Sequence, residues 1–206
     1  GGVAPGLVLT LFGESLGPVN LESARLVDGR LATELNGTRV LFDGQAAPLL
    51  YASSGQLGVL VPFSLLGRIN TSVTVERNNT SSAPYLLPIL GAQPGIFTQD
   101  GSGVGLAALL NEDGTLNGPE NPAAKGSIVV LFATGGGRMT PSGVDGKVAD
   151  AISSLVLPLE VQMGGVPAEV LYGGNAPGWV QGVIQVNARV PASWPAGAQP
   201  IRSGVG

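Results

Sequence analysis

The sequence predicts an all-β protein built from two tandem β-sandwich modules, and three observations carry that expectation. Short runs of Val, Leu and Ile are punctuated by glycine and proline, which number 33 and 16 among 206 residues. Apolar residues nevertheless make up 44% of the chain, which disordered chains of similar turn content lack. The third observation is an internal duplication. Gly44-Gln45-Ala46-Ala47-Pro48-Leu49-Leu50-Tyr51 returns as Gly165-Val166-Pro167-Ala168-Glu169-Val170-Leu171-Tyr172, 121 positions on. Gly6 to Phe12 returns as Gly126 to Phe132 at an offset of 120, and Gln56 with Val61-Pro62 as Gln185 with Val190-Pro191 at 129. Three blocks in one order define two modules, 1–92 and 93–206, the second carrying an insertion of about eight residues. Each is long enough to bury its own core.

Taken in order, Val8 to Phe12 is a compact apolar strand, entered through Pro5-Gly6 and left at Gly13. Arg25 to Leu31 forms a hairpin about Asp28-Gly29, because Asp-Gly suits the positive-φ positions of a type I′ turn. Arg39 to Phe42, Asp43-Gly44 and Ala46 to Tyr51 make a second hairpin of the same kind. Gln56 to Val61 is a strand stopped by Pro62, and Pro62 to Leu66 suits one helical turn. Thr71 to Glu76 alternates with Val73 and Val75 inward, the period of a half-exposed strand. Pro84 to Leu90 closes the module, and Gly91 to Gly95 is the connector. The second module opens with Ile96-Phe97, Leu106 to Asn111, an Asp113-Gly114 turn and Thr115 to Asn117. Ser127 to Thr134, Leu157 to Met163, Val166 to Tyr172 and Val180 to Val190 then repeat the first. No 3.6-residue apolar stripe exceeds two turns, so Leu106 to Leu110 and Val148 to Leu155 are the only segments that suit short helices. Evenly spaced short strands with Gly/Pro turns indicate sandwiches.

The two copies differ at their ends. Nearly thirty residues with two strands follow Val61-Pro62 in the first, and fifteen follow Val190-Pro191 in the second. The second module is therefore expected to want its closing strand, and the first to want the lead-in that Ile96 to Ala124 gives the second. The chain opens at Gly1-Gly2-Val3 with no signal peptide, as expected of a processed form or an excerpt. Unpaired strand edges invite another chain. Gly6, Val8 and Thr10 at one end and Pro200, Ile201 and Val205 at the other are the residues expected to exchange strands between copies.

Charge is sparse, at 12% of residues with a net of −4. The ten basic residues are scattered and form no basic, aromatic-laced face for nucleic acid. No apolar run reaches the length of a membrane-spanning helix. A low-charge surface rich in Ser, Thr, Asn and Gly fits an extracellular or cell-surface protein. Without histidine or cysteine, Ser-His-Asp, Cys-His and the usual zinc sites are excluded, and no cofactor is called for. Asp145 and Asp150 flank Lys147 in what reads as a solvated loop. Gly135-Gly136-Gly137 and Gly101 to Gly105 lack the spacing of phosphate loops and are expected to be turns. Asn111, Asp113, Gly114 and Glu120 match positions of a calcium loop, but Leu109 stands at its first position, which favours an Asp-Gly hairpin. Asn36, Asn70, Asn78 and Asn79 head N-glycosylation sequons. Phe12, Tyr51, Phe132 and Tyr172 occupy matched positions, which favours core sites over a sugar-stacking platform. Trp179 and Trp194, in or beside the second-copy insertions, are the better candidates for ligand contact.

Pro94-Gly95-Ile96-Phe97, Asn111 to Asn117, Asn121-Pro122-Ala123, Gly126-Ser127, Phe132 to Gly135, Gly165 to Ala168 and Gln185 to Pro191 form one extended pattern. In these residues the chain resembles an uncharacterised C-terminal domain family of large acidobacterial surface proteins, and Ala4-Pro5-Gly6 with Leu11-Phe12-Gly13 resembles that family's upstream part. The resemblance implies tandem immunoglobulin-like domains of the IPT/TIG type and carries no catalytic residues. The resulting expectation is a non-enzymatic surface protein, a filament subunit joined head to tail to itself or to adjacent Ig-like domains. The alternative is a glycan- or protein-binding module of a larger adhesin or secreted protein.

Overall fold

The computed structural model describes residues 1–193, 197 and 199–205. The chain is all-β, with antiparallel sheets and, among the described residues, a single 3-10 turn at Phe63–Leu65. The first eleven strands are β1 (Val8–Phe12), β2 (Glu22–Ser23), β3 (Leu26–Val27), β4 (Arg30–Leu31), β5 (Thr38–Phe42), β6 (Gln45–Ala46), β7 (Leu49–Ala52), β8 (Gln56–Leu60), β9 (Asn70–Arg77), β10 (Thr80–Ser81) and β11 (Tyr85–Pro88). The other nine are β12 (Gly95–Ile96), β13 (Leu109–Leu110), β14 (Ile128–Thr134), β15 (Met139–Thr140), β16 (Ser154–Leu155), β17 (Leu159–Met163), β18 (Val166–Asn175), β19 (Val183–Arg189) and β20 (Ile201–Val205).

The layout is sandwich-like. In residues 1–90, one sheet runs β1-β8-β7-β2 and the other β10-β9-β5-β6, with β11 also on β9. Period-2 alternation turns Thr38, Val40 and Phe42 of β5 inward, against Leu49, Leu57 and Val59 of the facing sheet. Further along, β14, β19 and the later part of β18 pair side by side, and the start of β18 pairs with β17, which pairs with β20. Val129, Leu131, Met163, Ile184 and Val186 fill this second core.

Asp28 and Gly29 both have positive φ, as do Asp43 and Gly44, so both Asp-Gly turns form where expected. The span from Ala46 to Tyr51 is not one strand. β6 pairs with β5, whereas β7 pairs with β8 in the opposite sheet, because Pro48 has no N–H to continue a ladder. In the other half, β18 makes the same change of sheet without a break.

The pairing registers correspond between the halves. Leu49 pairs with Val59 and Tyr51 with Gly58, leaving Leu50 as a bulge; 121 and 129 positions on, Val170 pairs with Ala188 and Tyr172 with Asn187, leaving Leu171. Phe12 opposite Gln56 corresponds likewise to Phe132 opposite Gln185.

Several expectations are corrected. Neither proposed helix forms: Leu109 and Leu110 pair with β14, while Val148 bridges to Val180 and Ser154–Leu155 is a strand. Segments of five to eight residues cannot offset the cost of helix nucleation when a strand edge is within reach. The tail of the second half does hold a strand, the counterpart of β9, whereas among the described residues none corresponds to β11. β20 pairs with β17 along its whole length, Met163 opposite Ile201 and Leu159 opposite Val205. The matched aromatics are not core residues. Alternation sends Phe12 away from the core and leaves it 78% exposed, and Tyr51, Phe132 and Tyr172 are half-buried.

Thr38 and Thr71 are fully enclosed, and their hydroxyls have no hydrogen-bond partner. A hydroxyl buried without a partner costs about 1–3 kcal/mol. Thr38→Val, which keeps the shape, is expected to raise the urea unfolding midpoint; a lowered midpoint would mean that the hydroxyl is bonded.

Candidate functional site

The most constructed region of the molecule is the contact between its two halves. It begins with three glycines where β14 ends. Gly135 and Gly137 have φ of +75° and +74°, and a Cβ on either would overlap a carbonyl of the connector, that of Gln93 or of Gly91. The connector lies directly on this turn, with the Gln93 N–H donating to the Gly135 carbonyl at 2.8 Å. The triplet is a turn, as its spacing implies, and its reason is close backbone approach.

Beside it Thr134, only 5% exposed, ties the halves together. Its hydroxyl oxygen accepts the Val8 N–H at 2.8 Å. Its single proton faces the Gly182 carbonyl at 2.9 Å and the Gly6 carbonyl at 3.2 Å, so Gly182 has the shorter bond. Gly182 is itself pressed against Leu60 and Gly6, with no room for a Cβ.

The second contact is the loop after β15. Asp145 accepts the Phe63 N–H at 2.6 Å, the Leu31 N–H donates to the Gly146 carbonyl at 2.8 Å, and Arg30 bridges to Lys147. The Phe63 ring fits between Gly6 and Gly143, neither of which has space for a side chain. The loop is therefore not simply solvated. Lys147 does pair with Asp150 in water, at 2.9 Å, but Asp145 is turned into the contact. Burial pushes the Asp145 carboxyl above the ordinary carboxylate range, against the Phe63 N–H and the Arg30 charge, which act the other way.

A carboxyl raised by burial takes up its proton at higher pH in the folded chain than in the unfolded one. The folded state gains stability relative to the unfolded state as pH falls through that raised value. Asp145→Asn keeps an acceptor for Phe63 without the buried charge. It is expected to be at least as stable as the parent at pH 7, with the difference closing as pH falls towards 4. Asp145→Ala leaves the N–H unpaired and is expected to cost about 1–2 kcal/mol. Urea titrations at several pH values check both; an Asp145→Asn variant weaker than the parent at pH 7 would show that the negative charge is needed.

The exchange residues are placed as follows. Gly6 is buried in the contact, its N–H bonded to the Val61 carbonyl, so it is not free to pair with another chain. Val8 and Thr10 lie in β1, paired with Leu60 and Gly58. The Pro200 carbonyl accepts the Gly164 N–H, and Ile201 and Val205 are in β20. Asn36, Asn70, Asn78 and Asn79 are all exposed, Asn78-Asn79 as the two-residue turn between β9 and β10. Trp179 is 58% exposed and leans on Phe132, ring centroids 6.1 Å apart. Trp194 lies outside the described residues.

The calcium-like segment holds itself together. Asn111 bonds the Asn121 carbonyl and the Asn117 side chain, and the Asp113 carboxylate takes the Thr115 hydroxyl at 2.6 Å, which holds it below the ordinary carboxylate range. Among the described residues no group of three acidic side chains could hold a metal. A polar cleft at Glu34, Arg39, Glu76 and Asn78 contains the Arg39–Glu76 ion pair, which satisfies both charges. The sequence gives no sign of Thr134 beyond the glycine triplet beside it, and it presents Asp145 as part of a solvated loop.

Against known proteins, the chain matches no protein-family model, no curated protein and no solved structure.

Proposed function

We propose that the chain is a non-catalytic extracellular structural protein: two tandem Ig-like β-sandwiches fixed into one stiff unit, serving as the subunit of a cell-surface filament. Copies join head to tail by pairing strand edges. The observation that supports this most is the contact between the halves. Thr134 and Asp145 are placed on backbone groups across it, and Gly135, Gly137 and Gly182 admit no side chain there. Such a contact suppresses hinge motion, which suits load transmission. The resemblance to surface-protein domains points the same way. Negative-stain microscopy of the purified chain at rising concentration tests the reading. Filaments with a constant axial repeat are expected, and monodisperse monomers at millimolar concentration would reject it.

A second reading is favoured by one observation, the half-exposed Trp179 against Phe132. An exposed aromatic face is the usual stacking surface for a sugar ring, which would make the chain a glycan-binding module of a larger adhesin. Saturable binding on a glycan array, lost in Trp179→Ala, is the outcome that would establish it over the filament reading.

A further inference from the structure

Two asparagines precede a glycine, Asn36-Gly37 and Asn117-Gly118, and the fold treats them oppositely. The backbone nitrogen after an asparagine can attack the side-chain amide, and before glycine no Cβ crowds the approach. Every other asparagine of the chain is followed by a residue with a side chain. The attack has two requirements. The amide must be able to swing over the nitrogen, and the nitrogen's N–H must not be held in a hydrogen bond. At Asn117 neither is met. Its Nδ2 donates to Asn111 Oδ1 at 2.9 Å, and its carbonyl accepts Gln99 Nε2 at 2.8 Å. The Gly118 N–H donates to the Asn121 carbonyl at 3.3 Å, and the Asn121 N–H to the Gly118 carbonyl at 3.0 Å. The calcium-like segment thus locks both partners of the reaction.

At Asn36 both requirements are met. Asn36 and Gly37 are the central residues of a tight turn, with φ of +46° and +73°. Leu35 and Thr38 flank them and exchange both backbone hydrogen bonds, each at 3.0 Å. The central residues of such a turn stand outside the ladder. Asn36 is exposed, and among the described residues no group bonds its side chain or accepts the Gly37 N–H. Gly37 is meanwhile fixed from the other side. Its carbonyl accepts the Asn78 N–H at 2.9 Å, and Asn78 Oδ1 fills the place a Cβ would take. The nucleophile is therefore held still beside a loose electrophile.

We infer that Asn36 is a site of spontaneous covalent modification, in which the Gly37 nitrogen of the folded protein attacks the Asn36 Cγ. The N–Cγ bond forms, the Cγ–Nδ2 bond breaks, and ammonia leaves with the proton that the Gly37 N–H gives up. The cyclic succinimide takes up one water at either carbonyl and opens to aspartate or isoaspartate, so water is the only co-reactant. A carboxylate is a poorer electrophile than an amide, which puts the five Asp-Gly pairs of the chain behind Asn36. Either product places a new negative charge next to Gly37, in the cleft that Glu34 and Glu76 also line. Isoaspartate also adds a backbone carbon to the turn between Leu35 and Thr38, which are 1% and 0% exposed and have no room to shift. The modification holds whether the chain serves as a filament subunit or as a glycan-binding module.

Trypsin isolates the site, because cleavage after Arg30 and Arg39 releases residues 31–39 with Asn36 as their one asparagine. Asn117 falls in the separate peptide 78–125. Folded protein kept in warm, mildly alkaline buffer is expected to yield peptide 31–39 with the side-chain NH2 replaced by OH. Its isoaspartyl form is expected to accept a methyl group from a protein isoaspartyl methyltransferase, and tandem mass spectrometry is expected to find Asn117 unchanged. In guanidinium chloride both sites are expected to convert. A peptide 31–39 that converts only in guanidinium chloride would show that the turn protects Asn36, and would overturn the inference. Conversion of Asn117 at an equal rate in the folded protein would overturn it as well, since hydrogen bonding would then not select the site. Asn36→Gln, whose amide lies one carbon further out, is expected to remove the acidic species that accumulates in isoelectric focusing; undiminished accumulation would place the chemistry elsewhere. The peptide map needs no variant, so it decides even if Asn36→Gln fails to fold.

Discussion

Thr134→Val is expected to lower the stability of the protein by about 2–4 kcal/mol while leaving its volume unchanged, because buried polar groups left without a partner cost about 1–3 kcal/mol each. The hydroxyl serves the Val8 N–H and faces the carbonyls of Gly182 and Gly6, so its loss strands groups on both halves. The effect has a signature beyond its size. The halves have separate cores, and Thr134 is one of the few side chains bonded to both. Calorimetry of the variant is therefore expected to resolve two transitions where the parent gives one. Thr134→Ser, which keeps the hydroxyl, is expected to preserve the single transition. A single parent-like transition in Thr134→Val would place the coupling elsewhere in the contact.

Gly137→Ala is expected to cost about 3–4 kcal/mol, the sum of a left-handed backbone that an L side chain resists and of overpacking at a closed contact. Its φ is +74°, and its missing Cβ is the space through which the Gly91 carbonyl passes. Gly29→Ala is the matched control. Its φ is +73°, but nothing surrounds it, so only the backbone contribution of about 1–2 kcal/mol remains. The difference between the two urea midpoints measures what the connector's approach is worth. Equal losses would mean that the connector moves aside freely.

What the sequence made legible was whatever depends on neighbours in the chain. Asp28-Gly29 and Asp43-Gly44 announce their turns because the requirement for positive φ is local. β9 announces itself by the alternation of Val73 and Val75 with polar residues, and β14 and β19 by repeating apolar blocks of the first half. The bulges at Leu50 and Leu171 lie inside the duplicated block but carry no residue type of their own, so only pairing displays them. The pairing of β20 within its own chain was not legible because Ile201-Arg202-Ser203-Gly204-Val205 holds just two large apolar residues, and its alternation is set by β17. The contact between the halves was the least legible. Asp145 sits in a stretch of Gly, Asp and Lys that describes a surface loop equally well, and what turns it inward is an N–H 82 positions away.

The passage of β18 from one sheet to the other has a mechanical consequence. Ten residues run unbroken from the β17 side to the β19 side, so tension applied through β20 and β17 enters the opposite sheet along covalent backbone. In the first half the same transfer crosses Ala47-Pro48, where no continuous strand spans the gap. There the Ala47 N–H on the Val40 carbonyl and the Leu60 N–H on the Pro48 carbonyl hold the chain to one sheet and then to the other, so the load passes between sheets through a backbone tied at both sides of the step.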